Sequence, residues 1–336
     1  MRRIGFGLTG DVTVKKAIDV VKEAEASGYE SFWMHETYYQ RDALSFLSAI
    51  ALMTDRILLA TGCISSYTRH PIQMALSLAT LDETSNGRAI LGLGTGSITR
   101  LNQMGIDHNN PIIHLRETVA IIRQLWTGNE VNFQGSNYHM QDIKPAFTPY
   151  RPNLPIYLGG SGPRMLKLAV QEFDGYIAPP GESVQGIQRL VKILDEQNSL
   201  SERSINPDIA AYILTLVAAD RKSAYKIAKH NPFLIYLIAI LTEDEIKEND
   251  LDEKKVAALS HAYWRGDMKS ASNLVSNEMI ELFAVVGNEH DVIVKLQKIV
   301  ALGIKMPILQ PLYLDQSAVL DVIRVGAKYA NMGSHI

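Results

Sequence analysis

The chain reads as an α/β protein, a closed (β/α)8 TIM barrel with a late helical insertion, and three observations lead there. Short apolar runs alternate with amphipathic stretches of helical length from one end to the other, about eight pairs in all, which implies a parallel sheet. At 336 residues and 46% hydrophobic content the chain can bury a large core, and that many units at this length favour a closed barrel over an open doubly wound sheet. One interruption stands out, because residues 231–282 carry a helical pattern with no strand between. The expectation is one domain over 1–336 with its insertion at about 231–282.

Ile4–Leu8 is an apolar run of strand length, and Val12–Ala26 keeps helical periodicity up to a stop at Gly28. Ser31–Met34 is the second strand and Asp42–Met53 the second helix. Arg56–Ile64 reads as the third strand; Pro71–Glu83 is a helix with proline in its first turn, ending before the turn pair Asn86-Gly87. Ala89–Leu93 is the fourth strand, running through Gly92 into Gly94 and Gly96. After an irregular stretch, Leu115–Trp126 is a helix closed by Gly128, and Val131–Phe133 with Tyr138–Met140 make a small hairpin around Gly135. Lys144–Pro155 holds four prolines and is a connector. Alternation resumes with the strand Pro155–Leu158, a helix from Pro163, the strand Gly175–Ile177 and the helix Val184–Gln197. Asp208–Val217 and Lys222–Lys229 follow as strand and helix, then the insertion, then Met306–Pro311 and Ala318–Asn331 as the last pair.

Charge excludes one class of partner. Lys and Arg total 33 against 36 Asp and Glu, a net charge of −3 with the signs interspersed, so no basic face points to nucleic acid. The lone cysteine, Cys63, excludes an intrachain disulfide and any multi-cysteine metal site. His35, His70, His108, His114 and His139 are scattered without metal-ligand spacing, so no metal is expected. The longest apolar run, Pro232 to Leu241, is too short for a bilayer, and the N-terminus lacks the apolar core of a signal peptide. A cytoplasmic protein acting on a small molecule, away from membranes, is expected.

In such barrels chemistry sits at the carboxyl ends of the strands. Here those positions are polar or glycine-rich: His35-Glu36-Thr37, Gly62-Cys63-Ile64-Ser65, Thr95-Gly96-Ser97, Gly159-Gly160-Ser161-Gly162, Ala178-Pro179-Pro180-Gly181 and Gln310. The run Tyr157 to Arg164 is a strand, a glycine-rich turn and a helix opening at Pro163. Free N–H groups, the Ser161 hydroxyl and the positive end of the helix dipole there suit a phosphate, the plain alternative being an ordinary tight βα turn. Gly92-x-Gly94-x-Gly96 lacks the third glycine, the immediate helix and the downstream acid of a dinucleotide motif. Glu36, beside Trp33, Tyr38 and Tyr39, reads either as a carboxylate of raised pKa or as the partner of Arg41 or Arg69. Cys63 reads as packing, since no histidine–acid pair accompanies it.

The run Gly62-Cys63-Ile64-Ser65-Ser66-Tyr67-Thr68-Arg69-His70-Pro71 joins with Ala79-Thr80-Leu81-Asp82-Glu83, Gly87-Arg88-Ala89 and Leu91 to Gly96. Gly159 to Lys167 and Glu278 to Phe283, followed by Gly287, agree with them. On these motifs the chain resembles the bacterial-luciferase-like superfamily over about Gly5 to Pro311, and within it the deazaflavin-dependent methylenetetrahydromethanopterin reductases. The resemblance implies a dimer or higher homo-oligomer binding coenzyme F-420 (F420) or FMN at the barrel mouth. It also implies a non-prolyl cis peptide between Gly62 and Cys63 whose bulge supports one face of the ring. By position Glu36, Gly62, Cys63, Thr95, Gly159, Gly160, Ser161 and Gly162 line the coenzyme. Where those enzymes carry an Asp-His pair after the second strand this chain has Glu36-Thr37, and where they carry an acid after the fourth it has Ser97, so Glu36 is the surviving carboxylate and catalytic candidate. The implied activity is hydride transfer between F420 and a small organic substrate, possible examples resembling methylenetetrahydromethanopterin. An FMN-dependent monooxygenase is the alternative, and a non-catalytic flavin-binding protein a further one.

Overall fold

The computed structural model describes residues 1–201 and 207–333. Two compact units divide the chain: the larger comprises Ile4–Ala178 and Leu190–Ala210, the smaller Met1–Arg3, Pro179–Arg189 and Ala211–Ile336. The larger unit begins β1 (Gly5–Leu8), α1 (Val14–Ala26), β2 (Ser31–Met34), α2 (Ala43–Ala51), β3 (Leu58–Thr61), β4 (Ile64–Ser65), α3 (Pro71–Thr84) and β5 (Ala89–Gly94). It continues with α4 (Ile98–Gln103), α5 (Pro111–Trp126), the hairpin β6 (Val131–Gln134) and β7 (His139–Ile143), β8 (Ile156–Gly159), α6 (Pro163–Glu172) and β9 (Gly175–Ala178). Its parallel strands run in the order β1-β2-β3-β5-β8-β9. Buried apolar residues fill both faces of these strands, as parallel sheets require.

α7 (Val184–Ser199) and β10 (Asp208–Val217) have residues in both units. The smaller unit adds α8 (Arg221–Ala228), α9 (Pro232–Ala239), α10 (Glu243–Glu248), α11 (Glu253–Trp264), α12 (Met268–Leu274) and α13 (Asn277–Phe283). β11 (Ala284–Gly287), α14 (Glu289–Val300), β12 (Met306–Pro311) and α15 (Gln316–Asn331) complete it. Side-chain caps start the helices of the insertion, Asn231 accepting from Phe233 and Leu234 N–H and Thr242 forming a capping box with Glu245. Leu234, Ile238, Leu259, Met279 and Val286 share the core beneath them. The strand succession is that of a closed eight-stranded parallel barrel, with β1, β2, β3, β5, β8, β9, β10 and β12 supplying one strand each, as predicted.

Four details differ from the sequence reading. The third strand, expected to run through Arg56–Ile64, is broken into β3 and β4 by a cis peptide between Gly62 and Cys63, and β4 pairs with β5. The irregular stretch before α5 contains α4, and α5 starts at Pro111 rather than Leu115. The strand β11 follows Phe283 with no glycine or proline to mark the change from helix, which hid it in a continuous apolar pattern. Hiding β11 also hid α14, whose start is set by the Asn288 cap behind Gly287. β11 pairs in parallel with β10, Leu214 opposite Ala284 through Val217 opposite Gly287. Among the described residues no helix is long and apolar enough to cross a membrane.

Two polar anchors hold the amino-terminal side of the larger unit's sheet. Arg88, 7% exposed at the entrance to β5, donates to the carbonyls of Ser85, Ile57, Ala51 and Thr54 at 2.7–2.9 Å and to the Thr54 hydroxyl at 3.0 Å. All of its guanidinium nitrogens are thereby satisfied by neutral acceptors from the α2–β3 and α3–β5 connections. Burial draws its pKa down, against the attraction of Glu25 and Asp55. Glu25 receives the backbone N–H groups of Asp55, Arg56 and Ile57. Burial would raise its pKa, but those three hydrogen bonds win and hold it below the ordinary glutamate value.

Removing Arg88 leaves four buried carbonyls without a donor, so Arg88→Ala is expected to cost about 3 kcal/mol or more, read as a lower urea midpoint at unchanged slope. Glu25 has a folded pKa below its unfolded one, so its stabilisation is complete above the unfolded value and fades as pH falls through the folded one. Thermal melts between pH 7 and 3 should decline less steeply on that acid limb in Glu25→Gln than in the wild type.

Candidate active site

The expected site residues gather at the carboxyl ends of β2, β3, β5 and β8, which are consecutive in the sheet. Register levels those ends, with Met34 opposite Thr61, Ser65 opposite Gly94 and Gly94 opposite Gly159. Glu36 lies two residues beyond β2, Gly62 and Cys63 between β3 and β4, Thr95 just beyond β5, Gly159 at the end of β8, and Gly160 to Gly162 between β8 and α6. The cis peptide implied by the resemblance is present at Gly62–Cys63. The Cys63 sulfur packs where a Cβ on Gly159 would stand, so only glycine fits at that strand end. Burial pushes the Cys63 thiol up to about 12, which keeps it protonated at neutral pH although the residue as a whole is half-buried. Cys63 is packing, not a nucleophile. Ser65 Oγ donates to the Thr95 carbonyl (3.1 Å) and accepts from Tyr67 N–H (3.3 Å), while Tyr38 OH accepts from Ser97 N–H (2.6 Å).

Of the two cations considered for Glu36, Arg69 is its partner. One Arg69 nitrogen lies 2.5 and 2.6 Å from the two Glu36 oxygens, and the other pairs with Asp42. Arg41 instead donates to the Gly10 carbonyl at 3.0 Å. Asp42 is fixed as the cap of α2, accepting from Ser45 N–H at 2.8 Å. One guanidinium thus serves two carboxylates. Burial is the largest influence on Glu36 and raises its pKa, Arg69 pulls the other way, and Asp42 pushes it up again. The Glu36 side chain is 14% exposed, so it is largely removed from water yet still reaches the surface.

The loop after β8 is open. Gly162 has φ 98°, a value glycine adopts freely, and Pro163 follows it at the first helical position of α6. The Gly162 carbonyl accepts from Met165 and Leu166 N–H (3.0 and 3.1 Å), and the Gly160 carbonyl accepts from Tyr176 OH (2.5 Å). Ser161, Gly162 and Arg164 are exposed, and among the described residues none of their N–H groups, nor the Ser161 hydroxyl, has a hydrogen-bond partner. Those donors at a helix N-terminus match a phosphate. Arg69 is committed to carboxylates and Arg100 lies over the Tyr39 ring, whereas Arg164 is exposed at the loop itself.

Two positions carried no site role in the sequence reading, Asp42 and Tyr176, while Ser65 was named there as a strand-end residue and Tyr38 only as a neighbour of Glu36. Tyr38 and Asp42 do sit in the same loop as Glu36, and polar residues following a strand were the available signal; Tyr176, inside a strand, offered none. His114 behaves as an ordinary structural histidine, 7% exposed and stacked on Tyr67 (3.9 Å, 9°), its Nε2 facing the Ser66 carbonyl at 3.1 Å. Burial lowers its pKa, against the Ser66 carbonyl and Glu117, which favour the charged form. Among the described residues no three His, Cys, Asp or Glu side chains cluster as a metal site.

Residues 2–306 match the Luciferase-like monooxygenase family, and the chain belongs to it. It is similar to the 5,10-methylenetetrahydromethanopterin reductase of Archaeoglobus fulgidus, 29% identical over 90% of this chain and 91% of that protein. The corresponding reductase of Methanopyrus kandleri is 27% identical over 96% and 97%. The solved structure of the coenzyme F420-dependent tetrahydromethanopterin reductase from Methanopyrus kandleri shares the fold, with a TM-score of 0.88 over 98% of each chain at 24% identity.

Gly159→Ala should drive a methyl into Cys63 and cost about 1–3 kcal/mol by overpacking. In a Cys63→Ala background most of that cost should vanish, so urea melts of the double-mutant cycle locate the collision; strictly additive losses would place it elsewhere.

Proposed function

We propose that the chain is a coenzyme F420-dependent oxidoreductase that moves hydride between the deazaflavin and a small organic substrate, a methylenetetrahydromethanopterin-like one-carbon carrier being the favoured class. The observation that carries this reading is the open, donor-rich loop at Ser161–Arg164 adjoining the Gly159–Cys63 contact, in a chain similar over nine-tenths of its length to reductases of that pterin. The phosphate is held by the Ser161 hydroxyl, the N–H groups of Ser161, Gly162 and Arg164, and the positive end of α6. Gly62 and Cys63 back the ring, with Thr95, Gly159 and Gly160 beside it. When bound, the deazaflavin supplies the hydride chemistry, and the protein supplies placement and electrostatics. Glu36 carries the proton at a carboxylate oxygen, as acid when hydride goes to the substrate and as base in reverse. Arg69 keeps that carboxylate in place, and Asp42, by drawing on the same guanidinium, keeps it from being held too strongly as an anion.

The family description favours one second reading, an FMN-dependent monooxygenase on the same barrel. Oxygen uptake with reduced FMN separates the two. The proposal includes a single domain over 1–336 working in the cytoplasm as a homodimer or higher assembly, which light scattering of the purified chain tests.

Titration with oxidised and reduced F420 should give saturable binding, with FMN weaker; failure of both F420 forms to bind ends the proposal. Glu36→Gln should lower kcat about 10²–10⁴-fold, a far larger effect than any on coenzyme affinity. With Glu36 as acid, kcat for substrate reduction is full below its raised pKa and falls as pH rises through it, and that limb should be missing in Glu36→Gln.

A further inference from the structure

We propose that Tyr176 is a positioning residue that presets the anion cradle, holding the Gly160 carbonyl inward so that the Ser161 N–H turns out toward the ligand. Tyr176 is fully buried on β9, opposite Leu158 of β8, and its hydroxyl donates to the Gly160 oxygen at 2.5 Å. In a trans peptide the C=O of one residue and the N–H of the next point in opposite directions. The Gly160–Ser161 peptide is trans, so fixing its carbonyl toward β9 aims the Ser161 N–H to the opposite side. On the other flank of Ser161, the Gly162 carbonyl is already engaged by Met165 and Leu166 N–H. The two glycine carbonyls flanking Ser161 are therefore each tied to a donor and kept from repelling an anion, while the N–H groups remain available.

Glycine at 160 makes this anchor necessary. Its backbone has no side chain to bias the orientation of the following peptide, and a Cβ there would meet only the flexible end of Met165, at 3.0 Å. Without the Tyr176 hydroxyl the peptide can rotate, withdrawing one donor from the cradle and presenting an oxygen in its place. The ring of Tyr176 packs in the core independently of its hydroxyl, so Tyr176→Phe removes the anchor and leaves the packing.

This inference rests on the reading of the loop as the coenzyme's phosphate site. In the full-length chain, Tyr176→Phe should weaken F420 binding about 10-fold, the scale of one charge-assisted hydrogen bond. Affinity for the phosphate-free deazaflavin chromophore should stay within about twofold, since the same principle gives that ligand no anion to lose. Equal losses for both ligands, or no loss for either, overturn the positioning role. Independently of the coenzyme, the Ser161 amide resonance should shift on addition of inorganic phosphate to the wild type and fail to shift in Tyr176→Phe. The absence of a shift in the wild type, or an undiminished one in the variant, also overturns the role. A wild type that responds to phosphate at Ser161 yet binds no F420 overturns the coenzyme reading instead.

Discussion

Where Gly159 would carry a side chain, the sulfur of Cys63 sits, and this exclusion brings three strand ends into one place. β3 and β4 must deliver Cys63 to that point, β8 must end there without a Cβ, and β5 between them carries Gly94, whose own Cβ position is taken by the Gly159 carbonyl at 2.7 Å. Side chains are absent where backbones meet, and the loop that follows β8 begins at once. A parallel sheet levels its strand ends by register; here the level also requires that nothing larger than hydrogen intervene.

Electrostatics at this edge follow the opposite rule, in that groups are shared rather than excluded. Arg69 answers both Glu36 and Asp42, and Asp42 has a second duty as the cap of α2. Burial of the Glu36 carboxyl disfavours its charge, and half a guanidinium compensates incompletely. A carboxylate so balanced can change protonation state with little rearrangement, which an acid fully paired with its own arginine cannot. The loop before α6 is balanced in the other sense, with the Gly160 and Gly162 carbonyls tied back and N–H groups left over, so it offers donors where Glu36 offers a carboxyl group. The two ends of the site are thus chemically distinct.

Much of this was legible in the residues. Eight strands fell near their predicted places, because parallel strands buried on both faces are short apolar runs bounded by glycine or by caps. The insertion read as helical because its pattern holds no strand-like run, and Asn231, Thr242, Asp252 and Asp267 cap helices within it. β11 did not read, since Phe283 passes into Ala284 without punctuation and four apolar residues fit a helix as well as a strand. The pairing of Glu36 was undecided between Arg41 and Arg69, which stand 5 and 33 residues away, and sequence distance ranks them in the wrong order.

By itself the sequence determined what depends on local chemistry: the alternation that makes a barrel, the proline and glycines that open a helix over a bare turn, and the carboxylate left at Glu36. Tertiary structure alone decided which distant groups meet. Arg69 reaches Glu36, Tyr38 reaches Ser97, and Tyr176 reaches the Gly160 carbonyl because strands β2, β3, β5, β8 and β9 lie side by side at a fixed spacing. Periodicity records which face of an element is buried, and carries no information about which neighbour is buried against it.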